Sequence, residues 1–157
     1  MESVRAARED DAERVEQLAA EMVEALSEQR GAAEAGAAGW QRPRGDHAVR
    51  WLPPAALDGH RAWVGVLDDK VCGFAMAHVE PWADGARRGV LDACFVEAGA
   101  RGLGLGRLLL EACLGWLAAE GCDGVDGTAF PGDRSAKNFF EAAGFKARLL
   151  TMHRKLG

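Results

Sequence analysis

The chain of 157 residues contains no tyrosine. No phenol is therefore present to donate a proton in any reaction the protein performs. Cysteine is sparse: Cys72, Cys94, Cys113 and Cys122 show neither C-x-x-C spacing nor a nearby histidine pair, so no metal site is expected. Each lies in an apolar run and reads as a buried, reduced thiol. Long hydrophobic stretches are also missing. No run approaches the roughly 20 apolar residues of a membrane span, and the start MESVRAARED lacks the apolar centre of a signal peptide. The expectation is a cytoplasmic protein with no membrane partner. Positive charge is in deficit, with a formal net charge of -5. That weighs against a nucleic-acid partner and suits a cationic substrate.

What is present fits an ordinary soluble fold. The chain is 48% hydrophobic and 27% charged, with no internal repeat or linker. Its length suits a single domain spanning residues 1–157. A short strand is expected at residues 3–7. A helix capped by Asp10 or Asp11 should then run to about Gln29, with Val15, Leu18, Met22 and Leu26 on one stripe. Residues 30–45, rich in Gly and Ala, read as a loop, and Pro53 and Pro54 open a short helix. RAWVGVL, a DDK turn and KVCGFAMAHVE predict a hairpin, and GVLDACFVE a further strand. A helix follows, with Leu105, Leu109, Cys113 and Trp116 on one side and Gly121 as its stop. DGVDGTAF reads as a strand, the stretch after Asp133 or Ser135 as a helix closed by Gly144, and FKARLLTMHRKL as a last strand.

The most informative stretch is VEAGARGLGLGRLLL. A dinucleotide fingerprint fails there, because its third glycine would fall at Arg107 or Leu109, and a P-loop fails because Gly106 is followed by Arg107 and Leu108. The physical logic of both survives. Glycines let the backbone approach a phosphate, and the free N–H groups and dipole of a helix start attract an anion. A tight strand-to-helix turn needing unusual backbone angles explains the glycines equally well.

Arg101-Gly102-Leu103-Gly104-Leu105-Gly106 resembles the R-x-x-G-x-G motif of the GNAT superfamily of acetyl-CoA-dependent N-acetyltransferases. In PGDRSAKNFFEAAGF, Ala136 and the FFEAAGF ending resemble a second motif of that family, N-x-x-A-x-x-x-Y-x-x-x-G-F. The resemblance covers roughly residues 61–156. It implies an α/β fold of the α+β kind: a mixed, mostly antiparallel central sheet with helices on both faces. It implies acetyl-CoA as cosubstrate, with its pyrophosphate on the backbone N–H groups of residues 103–107. Leu103, Leu105, Gly106 and Arg107 thereby join Arg101, Gly102 and Gly104 as cofactor-binding residues. The backbone around Cys94, Phe95 and Val96 would hold the pantetheine arm by strand addition. Asp133, Ala136 and Phe140 complete the implied site. It admits a homodimer.

Acetyl transfer to an amine requires that a proton be removed, since an ammonium of lysine-like pKa is only about one part in a thousand neutral at pH 7. Asp92 is the first candidate for that base. It is the one charged residue in the middle of GVLDACFVE, and alternation places it on the face of Cys94 and Val96. The family's polyamine acetyltransferases carry a similar L-E-D-x-[FY]-V pattern on this strand. Glu80, Glu97 and Asp126 are runners-up, and His78 has the pKa range of a proton relay. Two positions depart from the family pattern. Phe140 stands where its general-acid tyrosine is usual, and Asp133 where asparagine is common. Cys94 has no partner that would make it a nucleophile. The acceptor is expected to be a small-molecule amine or a protein N-terminus. Trp40, Trp51 and Trp82 with Asp46, Asp58 and Asp84 would suit a cation, whereas Arg42, Arg44 and Arg50 would suit an anionic group. A non-catalytic acyl-CoA-binding module of the same fold is the alternative reading, motivated by Phe140.

Overall fold

A computed structural model of the chain describes residues 1–28 and 58–157. The expectations at residues 30–45, at Pro53 and Pro54, and for Trp40, Trp51, Asp46, Arg42, Arg44 and Arg50 lie outside the described residues. The described elements are β1 (Glu2–Ala6), α1 (Ala12–Ser27), β2 (His60–Leu67), β3 (Lys70–Pro81), β4 (Arg87–Val96), α2 (Leu105–Ala119), β5 (Gly124–Gly127) and α3 (Arg134–Ala142). The strands form one sheet in the order β1-β2-β3-β4-β5. The first three pairings are antiparallel, and β5 joins β4 in parallel.

Strand alternation divides the core in two. Phe74 and Met76 of β3, Val64 of β2 and Ala93 of β4 meet Val15, Leu18 and Met22 of α1. Ala75 and Ala77 of β3, Trp63 of β2 and Leu91 of β4 meet Leu109, Leu110, Cys113 and Leu117 of α2 on the other face. Fully burying each of the Val, Leu, Phe and Met side chains among them contributes about 1.5–3 kcal/mol, so the two helices are fixed mainly by these stripes. Asp68 and Asp69 both take positive φ, 46° and 66°, in the turn joining β2 to β3. That is the twist a two-residue hairpin needs. Asp11 precedes α1 without capping it. Its carboxylate instead accepts from the Arg8 N–H and pairs with Arg5 at 2.7 Å, tying the helix start to β1.

Two irregularities position the site. The β2–β3 register shifts between Gly65 and Val66, which brings His60 opposite His78. The β3–β4 register shifts between Met76 and Ala77, whose partners are Ala93 and Leu91, so Asp92 is the extra residue of a β-bulge. The bulge overturns one expectation. Asp92 does not share a face with Cys94 and Val96, which pack toward α2. It turns to His78, which alternates onto the α1 side.

The stretch FKARLLTMHRKL, expected as a final strand, forms none. Among the described residues β5 is the sheet edge and is four residues long. So short a ladder is a weak template for one more strand of the same chain.

Candidate active site

Beyond Leu91 and Gly127 the parallel pairing of β4 with β5 stops. The strands splay, and a cavity of about 850 Å³ opens between them. The side of β4 running from Asp92 to Val96 lines it, with Gly106 at the start of α2 and Ser135, Ala136, Phe139 and Phe140 of α3 opposite. Among the described residues no strand pairs with this side of β4 from Ala93 to Val96, which therefore offers main-chain donors and acceptors to an extended ligand, as sheet edges do. Cys94 and Phe95 reach this wall as part of the strand, and Val96 ends it.

The glycine stretch closes one end. Gly102 and Gly104 have φ of +82° and +83°, and a Cβ on either would meet nothing within 4 Å. These glycines are required by backbone conformation, not by crowding. Gly104 caps α2 and supplies no side chain to its first N–H groups. The first turn of α2, from Leu105 through Arg107, is thus left with free donors beside the cavity. Leu103 is half exposed just before it. Arg101 folds back, donating from Nε to the Val96 carbonyl at 2.9 Å and lying over Phe95 at 5.4 Å. It lines the cavity, whereas Arg107 pairs outward with Glu111 at 3.0 Å.

Asp133 caps α3 by accepting from the Ala136 N–H at 3.0 Å. The Phe140 ring packs between Phe139 and Phe145, with centroids 5.8 and 5.0 Å away. A Cβ at Gly127 would stand 2.6 Å from that ring. The glycine in β5 therefore lets Phe140 lie against the strand while facing the cavity.

The bulged Asp92 meets His78 within the cavity wall. His78 Nδ1 lies 2.7 Å from Asp92 Oδ2, and the Asp92 side chain is only 6% exposed. A carboxylate accepts, so the shared proton belongs to Nδ1. His78 Nε2 lies 3.1 Å from Glu80 Oε1, at the exposed rim. His60 stacks on His78 with centroids 5.1 Å apart and planes at 11°. Burial pulls the His78 pKa down, but the hydrogen bonds and charges of Asp92 and Glu80 outweigh it and hold the value above the ordinary range.

The other acids are committed elsewhere. Glu97 pairs with Arg14 at 2.6 Å, and its pKa is lowered by a hydrogen bond from Cys72 and by that arginine. Asp126 is bound by the Arg148 fork, which holds its carboxyl below the usual range. Asp84 accepts from the Ala86 N–H at 2.9 Å and shapes the β3–β4 turn, where Arg88 lies over Trp82 at 4.3 Å. Burial pushes the Cys94 thiol up to about 12, the opposite of an activated nucleophile. Among the described residues no group of His, Cys, Asp and Glu could hold a metal, and no helix is long and apolar enough to cross a membrane.

His60 was not singled out by the sequence. Its place opposite His78 depends on the bulge in β2–β3, and a continuous register from the Asp68–Asp69 turn would put it opposite Ala77.

A mixed sheet splayed at its fourth strand, with a glycine turn feeding a helix N-terminus at the opening, is the frame of an acyl-CoA-dependent transferase. The sequence profile of the acetyltransferase (GNAT) family matches residues 19–145, and the chain belongs to that family. No curated protein matches its sequence. Solved structures share the fold. A single-residue mutant of the BH1408 protein from Bacillus halodurans superposes with a TM-score of 0.77 at 22% identity, covering 98% of this chain and 99% of that one. The ribosomal-protein-alanine N-acetyltransferase from Brucella melitensis biovar Abortus 2308 gives 0.70 at 19% identity, with full coverage of both chains. The aminoglycoside N-acetyltransferase AAC(6')-Iy, solved in complex with CoA, gives 0.72 at 17%, covering 99% of this chain and 95% of that one.

Proposed function

We propose that this acetyltransferase moves the acetyl group of acetyl-CoA to a primary amine by direct attack, in the cytoplasm, with His78 and Asp92 handling the proton. The observation that carries this reading is the His78–Asp92 contact inside the cavity where β4 leaves β5. The residues present suit the cosubstrate. The edge of β4 from Ala93 to Val96, which β5 does not cover, would take the pantetheine arm, and the N–H groups opening α2 would take the pyrophosphate. Acetyl-CoA supplies the acyl group as a thioester, so a C–N bond forms as the C–S bond breaks.

Asp92 is better placed to orient and charge-stabilise than to take the proton itself, because its carboxylate is buried against Nδ1. His78 Nε2 is the atom left to receive the amine's proton, directly or through water. Glu80 at the rim passes it to solvent. Phe140 contributes packing and no proton. Ser135, Thr128 and Thr151 place hydroxyls in the same cavity wall, and a thiol of pKa about 8.5 leaves as a thiolate at modest cost. Glu80 at the rim of the cavity favours a cationic acceptor, either a small-molecule amine or a protein N-terminus.

The test is calorimetric titration with acetyl-CoA, with ATP as control, followed by thiol release across a panel of amines. Micromolar binding lost in a folded Gly104→Glu variant, with turnover of some amine, supports the proposal. Absence of binding by folded protein removes it. Binding without turnover on any amine favours the non-catalytic acyl-CoA module, a reading that the missing hydroxyl at Phe140 motivates.

A further inference from the structure

Both irregularities of the sheet converge on one ring. Cys72 is the extra residue of β3 where its register with β2 shifts, and the shift sets His60 of β2 directly opposite His78. Asp92 is the extra residue of β4 where its register with β3 shifts, and its carboxylate meets His78 Nδ1 at 2.7 Å. A bulge interrupts the ladder and re-aims a side chain. Here one bulge supplies His78 with its buried carboxylate. The other lays a second imidazole flat against it, with centroids 5.1 Å apart and planes at 11°.

The carboxylate alone does not fix the ring. The outer torsion of a histidine side chain is broad, and a ring held at Nδ1 still tilts about that hydrogen bond. Glu80 meets Nε2 at 3.1 Å, but its side chain is 52% exposed, and such a pair is weak and screened. From α1 the cavity receives Met22, Ala25 and Leu26, whose side chains carry neither charge nor hydrogen-bond donor. His60 offers the flat surface on which the ring rests. It is itself anchored: its Nδ1 donates to the Asp58 carbonyl at 3.2 Å, and its backbone belongs to the β2–β3 ladder. A misplacement of about 1 Å at a reacting group costs up to about 10²-fold in rate, and a tilt of the ring displaces Nε2 by that order.

We infer that His60 is a positioning residue for acetyl transfer: its ring fixes the plane of His78, so that Nδ1 stays on Asp92 and Nε2 stays presented to the amine. The inference rests on the reading of His78 as the proton acceptor. His60 acts through the ring it lies on, not on the reacting atoms.

His60→Ala and His60→Phe test it, by steady-state kinetics and by proton NMR of the unliganded protein, in which the proton shared by His78 Nδ1 and Asp92 resonates far downfield. His60→Ala should lower kcat by about 10–10²-fold, leave the KM for acetyl-CoA unchanged and lose the downfield signal to exchange with water. His60→Phe restores a flat face without a titratable ring and should recover most of kcat and the signal. Circular dichroism checks that both variants fold. His60→Leu, which fills the space with no flat face, stands in for the alanine variant if that one unfolds. An alanine variant with kcat or signal intact overturns the inference, as does absence of the signal from the wild type. So does a loss confined to the KM of the amine, which would put His60 in contact with the acceptor, or a phenylalanine variant that rescues neither readout. A wild type that shows the signal but acetylates no amine removes the acetyl-transfer reading instead, and the signal in the variants then decides whether His60 holds the ring.

Discussion

At His78 two carboxylates share one ring. Asp92 holds Nδ1 from a buried position, and Glu80 approaches Nε2 from the rim. Asp92→Asn keeps the shape and removes the charge. We expect kcat/KM to fall by about 10²–10⁴-fold, the usual worth of a positioned base. Wild-type rate should rise with pH through a value above about 6.5, the ordinary histidine pKa, because a raised pKa keeps Nε2 occupied longer. In Asp92→Asn that inflection should move down, and an unmoved profile would exclude His78 as the titrating group. Stability has the opposite dependence. Since folding raises the His78 pKa, the pair stabilises fully below about pH 6.5 and its contribution is lost as pH climbs through the folded value. Thermal melts should show this alkaline loss in the wild type and its reduction in Asp92→Asn. At Phe140 the reverse experiment is available. Phe140→Tyr places a hydroxyl in the cavity wall, and thiol-release assays should show faster turnover, by up to about 10²-fold where proton delivery to the leaving thiolate limits the rate.

At the level of elements, the glycines of the β4–α2 turn separate into two kinds. Gly104 is left-handed, so Gly104→Ala should cost about 1–2 kcal/mol in denaturant unfolding. Gly106 is different: an added Cβ would sit 3.6 Å from Phe139 and 3.7 Å from Val96, ordinary contact. Gly106→Ala should stabilise α2 by roughly 0.5–1 kcal/mol and still weaken acetyl-CoA binding, because the added methyl group would crowd a pyrophosphate held on the first N–H groups of α2. Greater stability with unchanged affinity in calorimetry would place the pyrophosphate elsewhere. This pairing also shows what the sequence could convey. Strand alternation, the Asp68–Asp69 turn and the cap at Asp133 are local, and each was readable from residue type and spacing. The bulge at Asp92 was not, because it depends on how β3 and β4 align over many residues. Without it Asp92 would face α2, so its orientation and its contact with His78 were not legible in the sequence. The final strand failed for a related reason: residues 149–156 have the alternation of a strand, but alternation alone does not supply a neighbour to pair with.

Across the whole molecule, charge pairs fasten the parts. Arg5 and Asp11 join β1 to α1, Arg14 and Glu97 join α1 to the end of β4, and Arg148 and Asp126 join the tail to β5. Asp11 is held low chiefly by its hydrogen bond with Arg5, as Asp126 is by Arg148 and Glu97 by Cys72 and Arg14. Each contributes stability above the ordinary carboxylate range that is lost as pH falls through its folded value. Urea midpoints should therefore decline below about pH 4, and Asp11→Asn, the most buried of the three, should flatten that decline most.

The seam between β4 and β5 has a further meaning for the molecule's mechanics. Register pairs run only from Arg88–Gly124 to Leu91–Gly127, so the part after β5 is joined to the rest by a four-residue hinge and by the packing of Phe139, Phe140 and Phe145. A ligand lying along the free side of β4 and touching α3 would act as a stitch across that hinge. Occupancy would then set how far the two lobes breathe, and proteases reaching residues 128–132 would report it, cutting the empty protein faster than the filled one.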